Sequence, residues 1–122
     1  MGASDVVAID LTAQERNLLV QGLGHWGGPA QPTDELARVM GFLGEEDLLR
    51  GEGRRLRESV AEGVALTWLD WRRTLLATEI VFASVIVGAG WDWSITTGLS
   101  DEETIKLLRA AQEKVLRAVR LG

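Results

Sequence analysis

The 122-residue sequence contains no cysteine, a single histidine and only two lysines, Lys106 and Lys114. Without cysteine the chain can form no disulfide, carries no thiolate nucleophile and offers no sulfur ligand to a metal ion. One histidine is too few for a multi-histidine zinc site, and a Cys-His dyad is excluded. No G-x-S-x-G motif or paired-lysine nucleophile is present. We therefore expect no metal, no cofactor and a non-enzymatic protein.

An excess of positive charge is also missing, because the formal net charge is −5 at pH 7. This argues against nucleic-acid binding, which needs clustered cations. The apolar run at 75–87 is interrupted by Glu79 and stops at Gly88, short of the ~20 residues that span a bilayer. The first residues carry an early acid and no basic segment, unlike a signal peptide. We expect a cytoplasmic protein, and the arginine-rich, lysine-poor composition is typical of GC-rich bacterial genomes.

The segment from Leu66 to Val87 is the richest in apolar residues, which make up ten of the thirteen positions 75–87. Thr67 can cap a helix there, with Asp70 placed to favour the helix dipole. The sequence therefore predicts an all-α, single-domain bundle of about five helices, spanning residues 1–122, around a central buried helix at about 67–87. Residues 1–10 are expected to form an extended arm that lies across the bundle or pairs with a second copy.

Capping residues predict the other helices. Thr12 and Glu15 form a capping box for a first helix that ends near Gly22 to Gly24. Thr33 can cap a short helix that Gly41 closes. A further helical stretch covers 45–62, where glycines at 51 and 53 predict a kink or break. A second capping box at 100–103 starts a last helix that runs to about residue 120.

One row of the central helix is predicted to face the core, at 100° per residue. It contains Trp68, Arg72, Leu75, Glu79, Phe82 and Ile86. Two of these are charged, and a buried charge costs several kcal/mol unless it is paired. One interpretation is that Glu79 forms a buried ion pair with Arg72, or with an arginine of another helix, and that this pair fixes the helix register. The other is a desolvated Glu79 carboxylate that acts as a general base or holds a cationic ligand.

Two glycine-bearing loops, at 22–32 and 88–100, carry most of the remaining aromatic residues. The first also matches G-x-G-x-x-G, but the match follows a helix instead of a strand, so we treat it as chance. In one interpretation Trp26 plugs the end of the bundle and His25 hydrogen-bonds a carbonyl. In the other, the loops converge over the charged pair and form a tryptophan-walled ligand site. That candidate site comprises His25, Trp26, Arg72, Glu79, Trp91, Asp92 and Trp93.

The segment from Thr33 to Arg57, about a fifth of the chain, resembles the first half of a helix-turn-helix motif. With Gly41 as the turn glycine, the apolar and small positions of the motif fall on Leu36, Ala37, Met40 and Phe42. The resemblance implies DNA binding. The second half departs from the pattern, because Asp47 stands where a branched aliphatic residue belongs and Glu45, Glu46 and Asp47 would face phosphate.

The leading functional prediction is a small interaction or regulatory protein that self-associates as a homodimer or binds another protein. It rests on the central helix, which is apolar over more of its circumference than its neighbours can cover. A small-molecule-binding module with a tryptophan-lined pocket is the first alternative. A helix-turn-helix-like DNA-binding regulator is the second. No membrane partner is expected.

Overall fold

The part of the chain that the structure describes folds into seven α-helices and one two-stranded pairing. A computed structural model describes residues 5–28, 30 and 32–121, and it confirms the all-α class. The strands are β1 (Val6–Val7) and β2 (Leu66–Thr67). The helices are α1 (Ala13–Gly24), α2 (Asp34–Val39), α3 (Glu45–Leu49), α4 (Glu52–Glu62), α5 (Trp68–Ala83), α6 (Trp93–Thr97) and α7 (Asp101–Leu121). Short 3₁₀ turns follow α1 (His25–Gly27) and precede α6 (Gly90–Asp92).

The predicted capping boxes are present at both ends of the chain. The Glu15 amide donates to Thr12 Oγ1 at 3.1 Å, and the Thr12 amide donates to Glu15 Oε1 at 2.9 Å. Ser100 and Glu103 repeat the arrangement at the start of α7. Each box satisfies two backbone donors that the first helical turn leaves free. These two helix starts are therefore confirmed.

Glycines end α2 and separate α3 from α4, as predicted. Gly41 has a φ of +102°, and the following Phe42 amide donates to the Ala37 carbonyl at 2.9 Å, which closes α2. A Cβ atom on Gly53 would overlap the backbone carbonyl of Leu48. The chain can turn sharply between the two helices because this position has no side chain.

The described part of the N-terminal arm lies across the bundle. Val6 and Val7 pair antiparallel with Thr67 and Leu66 of the same chain. The Trp71 indole nitrogen donates to the Val7 carbonyl at 2.9 Å, which fixes the arm to the first turn of α5. Residues 1–4 of the expected arm lie outside the described residues.

Helix α1 packs against α4, α5 and α7. Helices α1 and α5 cross at close range at Gly22. A Cβ atom added to this glycine would overlap the Thr78 side chain. Leu18 and Leu19, one turn earlier in α1, are fully buried. The α5 surface that meets this crossing must therefore carry small side chains.

The predicted inward row of α5 is wrong for three of its six members, whereas Leu75 is buried and Glu79 and Phe82 are half-buried. Arg72 is exposed, Trp68 is 36% exposed and Ile86 is 87% exposed. The fully buried side of α5 instead carries small or β-branched residues, namely Thr74, Ala77, Thr78 and Val81. The two threonine hydroxyls donate to backbone carbonyls one turn earlier, each at 2.9 Å. This satisfies their hydrogen bonding, so they can be buried where a close helix crossing excludes larger residues.

Helix α5 also ends earlier than the predicted residue 87. Ser84 is extended, with ψ of 121°, and the chain then folds back so that the Ala89 amide donates to the Val81 carbonyl at 2.7 Å. A Cβ atom on Gly88 would overlap carbonyl oxygens of the last helical turn. The glycine thus lets the returning chain satisfy carbonyls that a helix end leaves free. The β-branched residues after Ser84 consequently lie in a loop.

The buried charges are not the pair that the sequence indicated. Asp70, 7% exposed, accepts hydrogen bonds from Arg55 at 2.9 Å and Arg73 at 3.1 Å. Arg73 also donates to the Gly41 carbonyl at 2.7 Å, which ties α5 to the end of α2. Arg55 donates hydrogen bonds to Glu52 and to Asp70. These bonds, the one to Glu52 most of all, raise the pKa of Arg55, so its guanidinium stays charged. This network joins α4, α5 and the end of α2.

Candidate functional site

The two glycine-bearing loops meet at one end of the bundle. The His25 ring lies 5.2 Å from the Trp93 ring, centroid to centroid. His25 Nε2 is 2.8 Å from Thr96 Oγ1, and its Nδ1 is 2.8 Å from the Gln21 carbonyl oxygen. Because a carbonyl only accepts, Nδ1 carries a proton and donates to it. His25 therefore connects the end of α1 to α6, and it makes the carbonyl contact expected of a structural histidine.

Trp26 and Trp93 are part of the core at this end. Trp26 is 1% exposed and Trp93 is fully buried. The Trp26 indole donates to the Ala77 carbonyl at 3.1 Å, and the Trp93 indole donates to Thr104 Oγ1 at 2.9 Å. Trp93 also packs edge-on against Phe82, at 5.7 Å between ring centroids. Their polar atoms are satisfied within the protein, so these two tryptophans anchor the loops.

Glu79 lies on a different surface, in a cleft between α5 and α7. The cleft has a volume of about 230 Å³. It is lined by Glu79, Phe82, Ala83, Ile105, Leu108, Arg109 and Gln112. The Glu79 side chain is half-buried, and within the described ranges no residue pairs with its carboxylate. It is therefore an available acceptor beside apolar walls.

Arg72 does not join Glu79 in an ion pair among the residues that the structure describes. It lies two turns earlier on α5 and is exposed. The cation nearest to Glu79 in the cleft lining is Arg109, whose Nη1 donates to Gln112 Oε1 at 3.0 Å. The charged floor that the sequence predicted from Arg72 is thus not assembled.

Trp91 and Asp92 face outward. Trp91 is 81% exposed, and nothing in the described part of the chain accepts a hydrogen bond from its indole nitrogen. Asp92 is also exposed, and its carbonyl accepts from the Thr96 hydroxyl at 2.9 Å. The predicted site residues therefore divide among four places: the closed His25, Trp26 and Trp93 cluster, the Glu79 cleft, the exposed part of α5 at Arg72, and an outer surface that carries Trp91 and Asp92.

That outer surface is the most apolar part of the loop before α7. Four large side chains, which we call the apolar tip, are exposed there: Val85 (47%), Ile86 (87%), Trp91 (81%) and Ile95 (81%). Trp91 and Ile95 are four residues apart in a continuous helical segment, so they share a face. A Cβ atom on Gly90 would lie 2.6 Å from the Val85 Cα atom, so the backbone just before Trp91 lies against that of Val85. The tip was not predicted from the sequence, because the helical row of α5 placed Ile86 in the core.

The region that resembles a helix-turn-helix motif is built differently. Helix α3 has only five residues and opens with three acids. Asp47 accepts from the Leu43 and Glu52 amides, both at 3.0 Å, and Asp34 accepts from the Glu45 amide at 2.8 Å. These two carboxylates accept from backbone amides and so connect the short helices. The geometry adds no support to DNA binding.

In residues 5–28, 30 and 32–121 no three acidic or histidine side chains are grouped to hold a metal ion. None of the helices in this part of the chain combines the length and apolarity needed to cross a membrane.

Comparison of the chain with models of protein families, with curated proteins and with solved structures finds no significant match.

Proposed function

We propose that this protein is a self-associating interaction module whose contact surface is the apolar tip. The observation that carries the proposal is the exposure of Ile86, Trp91 and Ile95, each above 80%, within one short segment. Contiguous apolar surface of this kind marks contact sites, and a central tryptophan is a typical interface anchor. Burying one such side chain contributes about 1.5–3 kcal/mol.

The tip is supported by a rigid base. Trp93 and Thr96 fix α6 to α7 and α1 through side-chain hydrogen bonds of 2.9 and 2.8 Å. A contact surface held in this way loses little conformational entropy on binding. This favours a constitutive docking surface over a loop that orders only on contact.

Sedimentation velocity across a concentration series tests the proposal. The wild-type chain is expected to form dimers at micromolar concentrations, and Trp91→Ala with Ile95→Ser to shift it to monomer. Leu43→Ser is the matched control, since Leu43 is 82% exposed but lies between α2 and α3. A wild-type monomer at millimolar concentration, or equal weakening by the control, would contradict the proposal.

The other expectations remain predictions. Small-molecule binding stays a prediction, and the tryptophan cluster does not favour it, because Trp26 and Trp93 are buried and their indole donors are satisfied within the protein. The bacterial origin and cytoplasmic location rest on composition only, and DNA binding would be revealed by a salt-dependent gel shift.

A further inference from the structure

We infer that the partner of the apolar tip is the cleft between α5 and α7 of a second copy. Trp91 of each copy occupies the cleft of the other, and its indole N–H donates to the Glu79 carboxylate there. This inference rests on the proposed self-association and specifies its geometry. The experiment below separates the two.

The volume of the cleft suits one side chain. It holds about 230 Å³, whereas pockets for small-molecule ligands and cofactors usually enclose about 300–1,000 Å³. Phe82, Ile105 and Leu108 give it apolar walls, and Ile105 is 50% exposed when the cleft is open. A flat aromatic ring would cover these walls without displacing the backbone of either helix.

The polar groups are complementary. An indole has one donor and no acceptor, and an ionised carboxylate has acceptors only. Trp91 has an unused donor and Glu79 has unused acceptors within the described residues. Arg109, on the opposite side of the cleft, brings a guanidinium that can lie over the indole face. Each otherwise unpaired group therefore gains a partner when the two surfaces meet.

The tip and the cleft are neighbours on the surface of one copy. Phe82 lines the cleft and contacts Trp93 at 5.7 Å. Trp93 begins α6, which carries Ile95 of the tip. A two-fold axis through this region lets each tip enter the facing cleft, so both contacts form at once and the assembly closes as a dimer. The same tip-to-cleft contact is then formed twice in each dimer.

Complementation between two variants tests the exchange. Trp91→Ala removes the inserted ring but keeps the cleft. Ala83→Arg fills the cleft, because Ala83 lies in its lining and is exposed, and an arginine there pairs with Glu79 at i, i+4. Each variant alone is expected to dimerise at least about thirtyfold more weakly, the size of a hot-spot loss. Ala61→Arg, at an exposed position on α4, is the control and should dimerise like wild type.

Mixing the two variants should restore association in part, because one Trp91 and one open cleft remain. Sedimentation of the mixture should therefore show heterodimers that neither variant forms alone at the same concentration. If Trp91→Ala weakens the dimer and Ala83→Arg does not, the tip binds elsewhere; the exchange is then wrong and the proposed function stands. If the wild-type chain is monomeric throughout, both fail. Circular dichroism confirms that each variant is folded.

Cross-linking gives a second readout that does not depend on weakening the dimer. The sequence has no cysteine, so single cysteines can be introduced without background. Asp92→Cys in one copy and Gln112→Cys in another place thiols beside the ring and in the cleft lining. A short bis-maleimide should join them, whereas Asn17→Cys, exposed on α1, should not react with Asp92→Cys. Equal cross-linking to both positions, or none to the cleft, would overturn the exchange.

Discussion

Replacement of Lys114 by methionine should destabilise the protein and reverse the acid dependence of its stability. Lys114 Nζ lies 2.6 Å from Glu15 Oε1 and 2.8 Å from the Asp10 carbonyl oxygen. Glu15 is only 4% exposed. Methionine keeps most of the side-chain length and removes the charge, so a buried carboxylate remains without its cation.

The magnitude follows from the burial of the two partners. Breaking a fully buried ion pair from one side costs about 3–5 kcal/mol. The Lys114 side chain is 35% exposed, so water already screens part of the interaction, and we expect about 2–3 kcal/mol at pH 7. For a chain of 122 residues this corresponds to a fall in Tm of roughly 6–15 °C.

The pH dependence has a definite sign. Burial alone would raise the pKa of Glu15, but the hydrogen bond from Lys114, with those from Thr12, holds it below its ordinary 4.5. A lowered pKa means that the carboxylate contributes stability above pH 4.5, and this stability is lost as the pH falls through the folded-state pKa. Without Lys114, burial should push the pKa of Glu15 upward. Protonation of Glu15 then stabilises the variant, so its deficit should shrink between pH 7 and pH 4.

Urea unfolding followed by circular dichroism at pH 7 and pH 4 measures both effects. Lys106→Met is the matched control, because the only other lysine of the sequence pairs with Glu102 in solvent, with side chains 74% and 80% exposed. Such pairs contribute less than about 1 kcal/mol. A loss below about 0.5 kcal/mol for Lys114→Met, or a deficit that grows on acidification, would refute the reasoning.

Two further predictions concern the close approaches in the fold. Gly22→Ala should lower the free energy of unfolding by about 2 kcal/mol or more, because the new methyl group overlaps the Thr78 side chain. Gly27→Ala is the control for thermal melts, since nothing lies within 4 Å of the added atom and no comparable loss is expected. Equal melting temperatures for the two variants would contradict this account of the crossing. His25→Ala should increase amide hydrogen exchange in α6, since it removes the contact with Thr96. Exchange in α4 is the internal control and should stay unchanged. Unaltered exchange in α6 would mean that His25 does not hold this helix.

The helix starts could be predicted from the sequence because their determinants are local. Thr12 and Ser100 act on amides three residues away, and both boxes form as expected. The break between α3 and α4 was predictable for the same reason, since Gly51 and Gly53 weaken any helix that contains them. Neither feature depends on what packs against the segment.

The orientation of α5 could not be predicted in this way. Apolar residues surround much of this helix, so its pattern alone selects no single face. The choice is made by α1, whose Gly22 comes so close that only small residues fit opposite, and by Thr74 and Thr78, whose hydroxyls bond to their own helix. The tip could not be predicted either, because its exposure depends on where α5 ends. Ile86 could be placed outside only once the turn at Ser84 was known.

The candidate site was partly predictable. The convergence of the two loops followed from helix order, and His25 does meet Trp93. What each aromatic does there follows from its hydrogen bonds, which have no sequence signature. Trp91 and Trp93 are two residues apart in similar surroundings, yet Trp93 finds Thr104 as an acceptor and is buried, while Trp91 is exposed. Only the exposed Trp91 is available to contact a partner.

The close crossing of α1 and α5 and the proposed self-association have one physical origin. Helix α5 turns small residues toward the crossing, and of its large residues it leaves Trp68 exposed and Phe82 half-buried, with the Phe82 ring lining the cleft. The turn at Ser84 then carries the remaining β-branched residues to the tip. Because water contact with this surface is unfavourable, the packing that stabilises the monomer also supplies the driving force for its association.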